Sequence, residues 1–222
     1  MAIPKIEELL DLTHTLAAPL FDCKRYPWEI LPLLKEFIRA LGASLSREEY
    51  DEIAPEVWVH KTAKIAPTAL IAGPTVIGAG TEVRHCAFIR GSALVGENCV
   101  VGNSTEVKNA VIFDNVQVPH YNYVGDSVLG FRSHMGAGVV ASNFRSDKGN
   151  VCVRDGDQKI ETGMRKLGAI LGDGVDVGCN SVLCPGSVVG RDAIIYPLSR
   201  VRGFVPERSI LKGDGSIVPR KL

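Results

Sequence analysis

From Val59 to Val118 the chain divides into ten consecutive units of six residues, and each unit opens on Val, Ile or Phe: Val59, Ile65, Ile71, Ile77, Val83, Ile89, Val95, Val101, Val107 and Phe113. Position two is often Gly or Ala, and position five is usually Ala, Thr or Cys. An amphipathic helix repeats its apolar face every 3.6 residues and a half-buried strand every two, so neither yields a period of six. A six-residue repeat predicts a parallel β-helix in which each unit is one short strand and a corner. Three units close a triangular coil of about 18 residues, with the leading aliphatic inward and like positions about 4.8 Å apart from coil to coil. Chance alternation in a β-sandwich would not hold ten units in one register. The predicted class is therefore mainly β.

The repeats also divide the chain. Residues 1–56 contain none and read as a helical N-terminal cap: Ile6, Leu9, Leu10 and Leu12 suit a short amphipathic helix. A longer helix is expected from Pro27 to about Gly42, with Trp28, Leu31, Leu34, Ile38 and Leu41 at helical spacing and Pro32 within its opening turn. Ser46 with Glu49 predicts the capping box of a third helix. The cap is expected to cover the first coil, because an exposed strand edge invites association. Residues 57–206 form the β-helix, whose phase breaks at Pro119-His120 and resumes at Leu129, Met135, Leu171, Val177, Leu183, Val189, Ile195 and Val201. A polar insertion at about 143–168 reads as a long functional loop. Residues 207–222 form a C-terminal tail that closes the last coil.

Lysines and arginines number 25 against 25 aspartates and glutamates, so nothing in the charge argues for nucleic acid or a membrane surface. No run of 18 apolar residues occurs, and MAIPKIEELLDL places acids where a signal peptide is apolar, so the expected location is the cytoplasm. The six cysteines include no CxxC pair and read as reduced thiols. The five histidines have no convergent spacing and no acidic cluster beside them, so no metal site is expected.

Stacking arithmetic selects the candidate chemistry. Arg90 and Lys108 are 18 residues apart, both at position two of a unit, and should lie side by side on one face. Like charges this close repel unless an anion lies between them, and a phosphate is the obvious one; two solvated, splayed charges are the alternative. Arg84, Gly102 and His120 form a second column at the same spacing, in which Gly102 leaves room beside His120. His120 opens the polar, aromatic-rich segment HYNYVGD.

The stretches VPHYNYVGDSVLG, HMGAGVVASNFRSDKGNV and TGMRKLGAILGDGVDVGCNSVLCPGSVVG carry a resemblance over about half the chain. They resemble the acetyltransferase domain of the bifunctional N-acetylglucosamine-1-phosphate uridylyltransferases, and more closely that of the archaeal sugar-1-phosphate nucleotidylyltransferases. The resemblance implies a left-handed β-helix, opposite to the hand usual for parallel crossovers. It implies a homotrimer that acetylates the amine of an amino-sugar 1-phosphate with acetyl-CoA. Matched by motif, His120 would be the general base and Asn143 would orient it or the substrate. Arg90, Lys108, Tyr123 and Lys148 would hold the sugar and its phosphate. Gly136, Ala137, Gly138 and Cys179 would meet the cofactor, the glycine-rich backbone facing the thioester oxygen. Where the uridylyltransferases carry N-Y-D-G, this chain has Asn143-Phe144-Arg145-Ser146, which leaves the acceptor open. No Gly-rich nucleotide loop precedes the repeats, so the chain is not expected to make nucleotide sugars alone. The alternative is a non-catalytic β-helix scaffold or regulatory subunit that partners a nucleotidylyltransferase.

Overall fold

The computed structural model describes residues 3–221. Its body is a parallel β-solenoid with three faces, each built on one inward column of aliphatics. On the first face the column runs Ile71, Ile89, Val107, Val124, Ala141, Leu183, Val201. On the second it runs Val59, Ile77, Val95, Ile112, Leu129, Leu171, Val189, Val205. The third includes Ile65, Val83, Val101 and Val118, then Met135, Val177, Ile195 and Leu211. Partners are 18 residues apart in the first coils, as between Val59 and Ile77, so the inward seat every sixth residue predicts the body correctly.

The register slips where the repeat loses a residue. Ile89 pairs with Val107 at 18, but Val95 pairs with Ile112 at 17. The shortened corner is at Asn109, whose φ is +46°; a second is at Asp126, with φ +50°. Asn and Asp tolerate this left-handed region better than other side-chain-bearing residues. Two expectations change. Ile112, not Phe113, takes the inward seat, and the phase break lies at Asn109, ahead of Pro119-His120. Phe113 is still fully buried, edge-on to Phe21 at 6.1 Å between ring centres.

That contact belongs to the N-terminal helical segments, which lie along the second face. Outward-facing Val76, Leu94, Val111, Val128, Ile170 and Val188 on this face are apolar and fully buried. The long helix arrives in two pieces: a 3₁₀ segment Pro27–Leu33 and then α2, Leu34–Ser44, after α1 at Ile6–Leu9. Pro32 has no N–H to donate and crowds the preceding turn, which explains the tighter start. Farther along, half-buried Asp173 accepts N–H bonds from Asp11 (2.7 Å) and Phe131 (2.9 Å) and pairs with Arg191 at 3.3 Å. His14 stacks on Phe131 at 3.6 Å.

The edge of the first coil is covered by a strand. β1, Tyr50–Ala54, runs antiparallel to β2, Val57–His60. The residues from Ser46 to Glu49 form a turn into β1, so the expected third helix is absent; the Ser46 hydroxyl accepts the Glu48 N–H at 3.2 Å. The insertion is not structureless either. Cys152–Asp155 and Gln158–Glu161 form an antiparallel hairpin that packs on the upper strands of the second face, Ser187–Val189 and Phe204–Val205. The coil continues through Ser209–Leu211, and Ile217–Pro219 returns antiparallel to that strand. No described helix is long and apolar enough to cross a membrane.

Gly42 shows how tightly α2 sits: a Cβ there would overlap the ring of the buried Trp58. Gly42→Ala gains helix propensity but overpacks this contact. A net loss of about 1–3 kcal/mol is expected, read as a fall in melting temperature of ~2–4 °C per kcal/mol. A variant as stable as the parent would show that α2 can lift from the face without cost.

Candidate active site

His120 and Tyr123 flank the corner where the third face turns into the first. Tyr121 makes the turn with φ +52°. Asn122 is 3% exposed and acts as the internal brace. Its Nδ2 donates to Gly136 O at 2.8 Å and its Oδ1 accepts the His120 N–H at 3.1 Å. Its own N–H donates to Thr105 Oγ1 at 3.3 Å. A buried, fully engaged amide fixes the local backbone, and the His120 imidazole is left exposed above it.

The corner ladder sets what lies next to that imidazole. His120 pairs with Asn103, one coil below. Gly138 N–H donates to His120 O at 3.0 Å, and Asn180 N–H donates to Ala137 O at 2.8 Å. His120, Ala137 and Cys179 therefore stand in one line, one coil apart. The expected column of Arg84, Gly102 and His120 does not form, because the residue lost at Asn109 shifts His120 by one. Pro119 lies over Gly102 instead, and a Cβ on Gly102 would strike the Pro119 carbonyl. The glycine makes room for backbone, not for a substrate.

The three N–H groups of Gly136, Ala137 and Gly138 are not equivalent. Gly136 donates to Val177 O at 2.7 Å and Gly138 to His120 O. Among the described residues the Ala137 N–H has no acceptor, so of the three it alone is available to a ligand oxygen.

On the first face the cations are already matched. Arg90 Nη1 meets Glu106 Oε1 at 2.7 Å and Lys108 Nζ meets Asp126 Oδ2 at 3.4 Å. Their mutual repulsion is relieved inside the chain, and the electrostatic case for a phosphate between them falls away. Asp126, 4% exposed, is the hub of this face. It accepts from Asn109 Nδ2 at 2.7 Å and from Asn143 Nδ2 at 2.5 Å, besides Lys108. The Asn143 amide gives its second hydrogen to the Tyr123 hydroxyl at 3.1 Å. Partial burial pushes the Tyr123 phenol above its usual range. Gly125 permits this convergence: a Cβ would lie 2.5 Å from the Tyr123 hydroxyl and 2.8 Å from Asn143 Nδ2.

Tyr123, Asn143 and Lys108 are thus brought together, with Arg90 one coil below Lys108. Lys148 stands apart, exposed in the insertion, with no hydrogen bond or ion pair to the cluster. Glu106, Asn109 and Asp126 were not singled out by the sequence, although Asp126 closes the H-x-x-Y-x-G-D string. No group of three His, Cys, Asp or Glu capable of holding a metal occurs among the described residues.

The three-faced hexapeptide solenoid is a fold of the acetyltransferase type. The chain belongs to the family described as the GMPPB C-terminal domain, whose model matches residues 73–210. It is 31% identical over 199 residues to the bifunctional protein GlmU of Methanococcus maripaludis, covering 88% of this chain and 48% of that one. It is 39% identical over 108 residues to a bifunctional sugar-1-phosphate nucleotidylyltransferase/acetyltransferase of Sulfurisphaera tokodaii, covering 49% of this chain and 26% of that protein. The uncharacterized acetyltransferase YaiX of Escherichia coli is 34% identical over 156 residues, with 70% and 68% covered. The chain thus spans about half or less of the length of the bifunctional relatives. Among solved structures, a hexapeptide transferase family protein from Anaplasma phagocytophilum superposes with a TM-score of 0.49 at 19% identity, covering 75% of this chain and 81% of that one.

Proposed function

We propose that the chain transfers an acetyl group from acetyl-CoA to the amine of a phosphorylated amino sugar. The observation that carries this reading is an exposed imidazole, His120, one coil from a free backbone N–H at Ala137, at the corner that opens the face carrying the Tyr123–Asn143–Asp126 cluster. The amine must lose a proton as it attacks the thioester carbon. An imidazole is the side chain best suited to take such a proton around neutral pH. As the C–N bond forms and the carbonyl oxygen becomes an oxyanion, the Ala137 N–H, which has no acceptor among the described residues, donates to it. When the C–S bond breaks, His120 returns the proton to the thiolate, releasing CoA as a thiol. Small side chains at Ala137 and Cys179 leave this corner line open to a pantetheine arm. With its amide hydrogens committed to Asp126 and Tyr123, Asn143 offers its Oδ1 as an acceptor for a sugar hydroxyl or the attacking amine.

The acceptor class draws on the relatives, whose descriptions name sugar-1-phosphate nucleotidylyltransfer and acetyl transfer. A homotrimer is part of the proposal. Leu70 (62% exposed) and Phe88 lie in one outward column of the first face, and Tyr121 and Leu198 line the adjoining corner. An exposed apolar stripe of this kind suits burial between copies. The test is thiol release from acetyl-CoA against a panel of amino-sugar phosphates, free and nucleotide-linked, with mass by light scattering at micromolar protein. Trimer and acceptor-dependent CoA release are expected; a monomer, or no acceptor-dependent release across the panel, overturns the reading.

A further inference from the structure

A groove of about 460 Å³ opens between the upper first face and the inserted segment, lined by Ser142, Phe144, Arg154, Arg200 and Arg202 among others. Its charge is one-sided. Arg145, also on its wall, is engaged by Asp147 and draws that carboxyl down to about 2, so those two charges cancel. Arg154, Arg200 and Arg202 are exposed and make no ion pair with a described residue. They come from two separate parts of the chain, the insertion hairpin and the last full coil of the first face. Three unmatched guanidinium groups around one concavity repel one another and raise the local concentration of anions. Guanidinium groups favour phosphate because their paired N–H donors match its oxygens.

Position identifies the anion. Ser142 and Phe144 flank Asn143, so the groove begins beside the proposed acceptor site. Along the first face Leu183 follows Ala141 and Val201 follows Leu183, which puts Arg202 two coils above Ser142, about 10 Å away at the usual strand spacing. The corner line of His120, Ala137 and Cys179 lies at the opposite edge of this face. The volume falls in the range of about 300–1,000 Å³ that takes a whole small molecule, more than a lone phosphate needs. Phe144, 41% exposed, adds a flat apolar surface of the kind on which bases stack.

We infer that this groove binds the nucleoside diphosphate end of a nucleotide-linked amino sugar, with Arg154, Arg200 and Arg202 on the diphosphate and Phe144 against the base. The inference rests on the acetyl-transfer reading for the sugar end, but it is tested by binding alone, so the two can fail separately. The experiment is calorimetric titration of the full chain with uridine diphosphate, guanosine diphosphate, inorganic pyrophosphate and CoA. At least one nucleoside diphosphate is expected to bind at or below roughly millimolar concentration, and more weakly as salt rises. Arg200→Ala and Arg202→Ala should each weaken it by at least about tenfold, the size of one charge-assisted hydrogen bond. Phe144→Ala should weaken the nucleotide but not pyrophosphate. CoA affinity should be the same in all three variants. Three results overturn the inference: no nucleoside diphosphate binding, nucleotide binding indifferent to either arginine or to Phe144, or loss of CoA affinity in the arginine variants, which would assign the groove to the phosphates of CoA. Both arginines are exposed, and unchanged melting temperatures will show that the variants are folded.

Discussion

His120→Ala is expected to lower kcat for acetyl transfer by about 10²- to 10⁴-fold, the usual contribution of a general base. The loss should appear with little change in melting temperature. The imidazole is exposed, and the parts of His120 that serve the fold, its N–H to Asn122 and its carbonyl to Gly138, are backbone. His134 provides the control. It sits on the third face in a 2.8 Å pair with Asp176 and has no place in the corner, so His134→Ala should leave turnover near the parental value. If His120→Ala retains near-parental turnover in an active preparation, or if the loss falls on His134→Ala instead, the base has been misassigned.

Much of the solenoid could be read from the sequence because its inward seats admit only aliphatics, and a six-residue period has few other physical sources. The covering of the second face was written there too. The triplets Thr75-Val76-Ile77, Ala93-Leu94-Val95, Ala110-Val111-Ile112 and Ser127-Val128-Leu129 each place an apolar residue just before the inward seat, where a solvated strand would carry a polar one. That column says that something lies on the face. It does not say whether the N-terminal helices cap the end or run along the side, since either arrangement buries one apolar stripe. The lost residue at Asn109 was harder to see. Both Ile112 and Phe113 are apolar and both end up buried, so the phase could slip without breaking the pattern. That one-residue slip displaced His120 from its expected column and hid the glycine's true neighbour, Pro119.

The site was legible as far as single residues go, and illegible where it depends on partners. Arg90 and Lys108 at equivalent positions looked like a shared anion site. Their carboxylates, Glu106 and Asp126, sit in other strands or at shortened corners and gave no periodic signal. The string HYNYVGD held the clue, since Asn122 and Asp126 are both buried polar residues within it and a buried polar group has to be satisfied by something nearby.

Asp126 yields the second large prediction. Its carboxylate is buried, with the side chain 6% exposed, and it neutralises Lys108 while accepting from Asn109 and Asn143. Asp126→Ala removes the acceptor from all three; Lys108 is partly exposed and can turn to solvent, but the Asn109 and Asn143 amides lose a charged acceptor, a cost of about 1–3 kcal/mol. A clear fall in melting temperature is expected. Asp126→Asn keeps the volume but turns an N–H group toward donors, so the Asn143 amide loses its anchor and Tyr123 its partner's orientation. A misplacement on the order of 1 Å can lower turnover by roughly 10², and that loss should fall on kcat more than on KM because Asp126 does not itself reach the substrate. The same geometry changes what Lys108→Ala should do. In the parent it strands a buried carboxylate and should destabilise the fold; in an Asp126→Asn background there is no charge left to strand, and it should cost little. A coupling of about 0.5–3 kcal/mol between the two sites is therefore expected in a double-mutant cycle of thermal stabilities. Strict additivity, together with parental turnover in Asp126→Asn, would mean that the Lys108–Asp126–Asn143 network neither holds this face together nor positions Asn143.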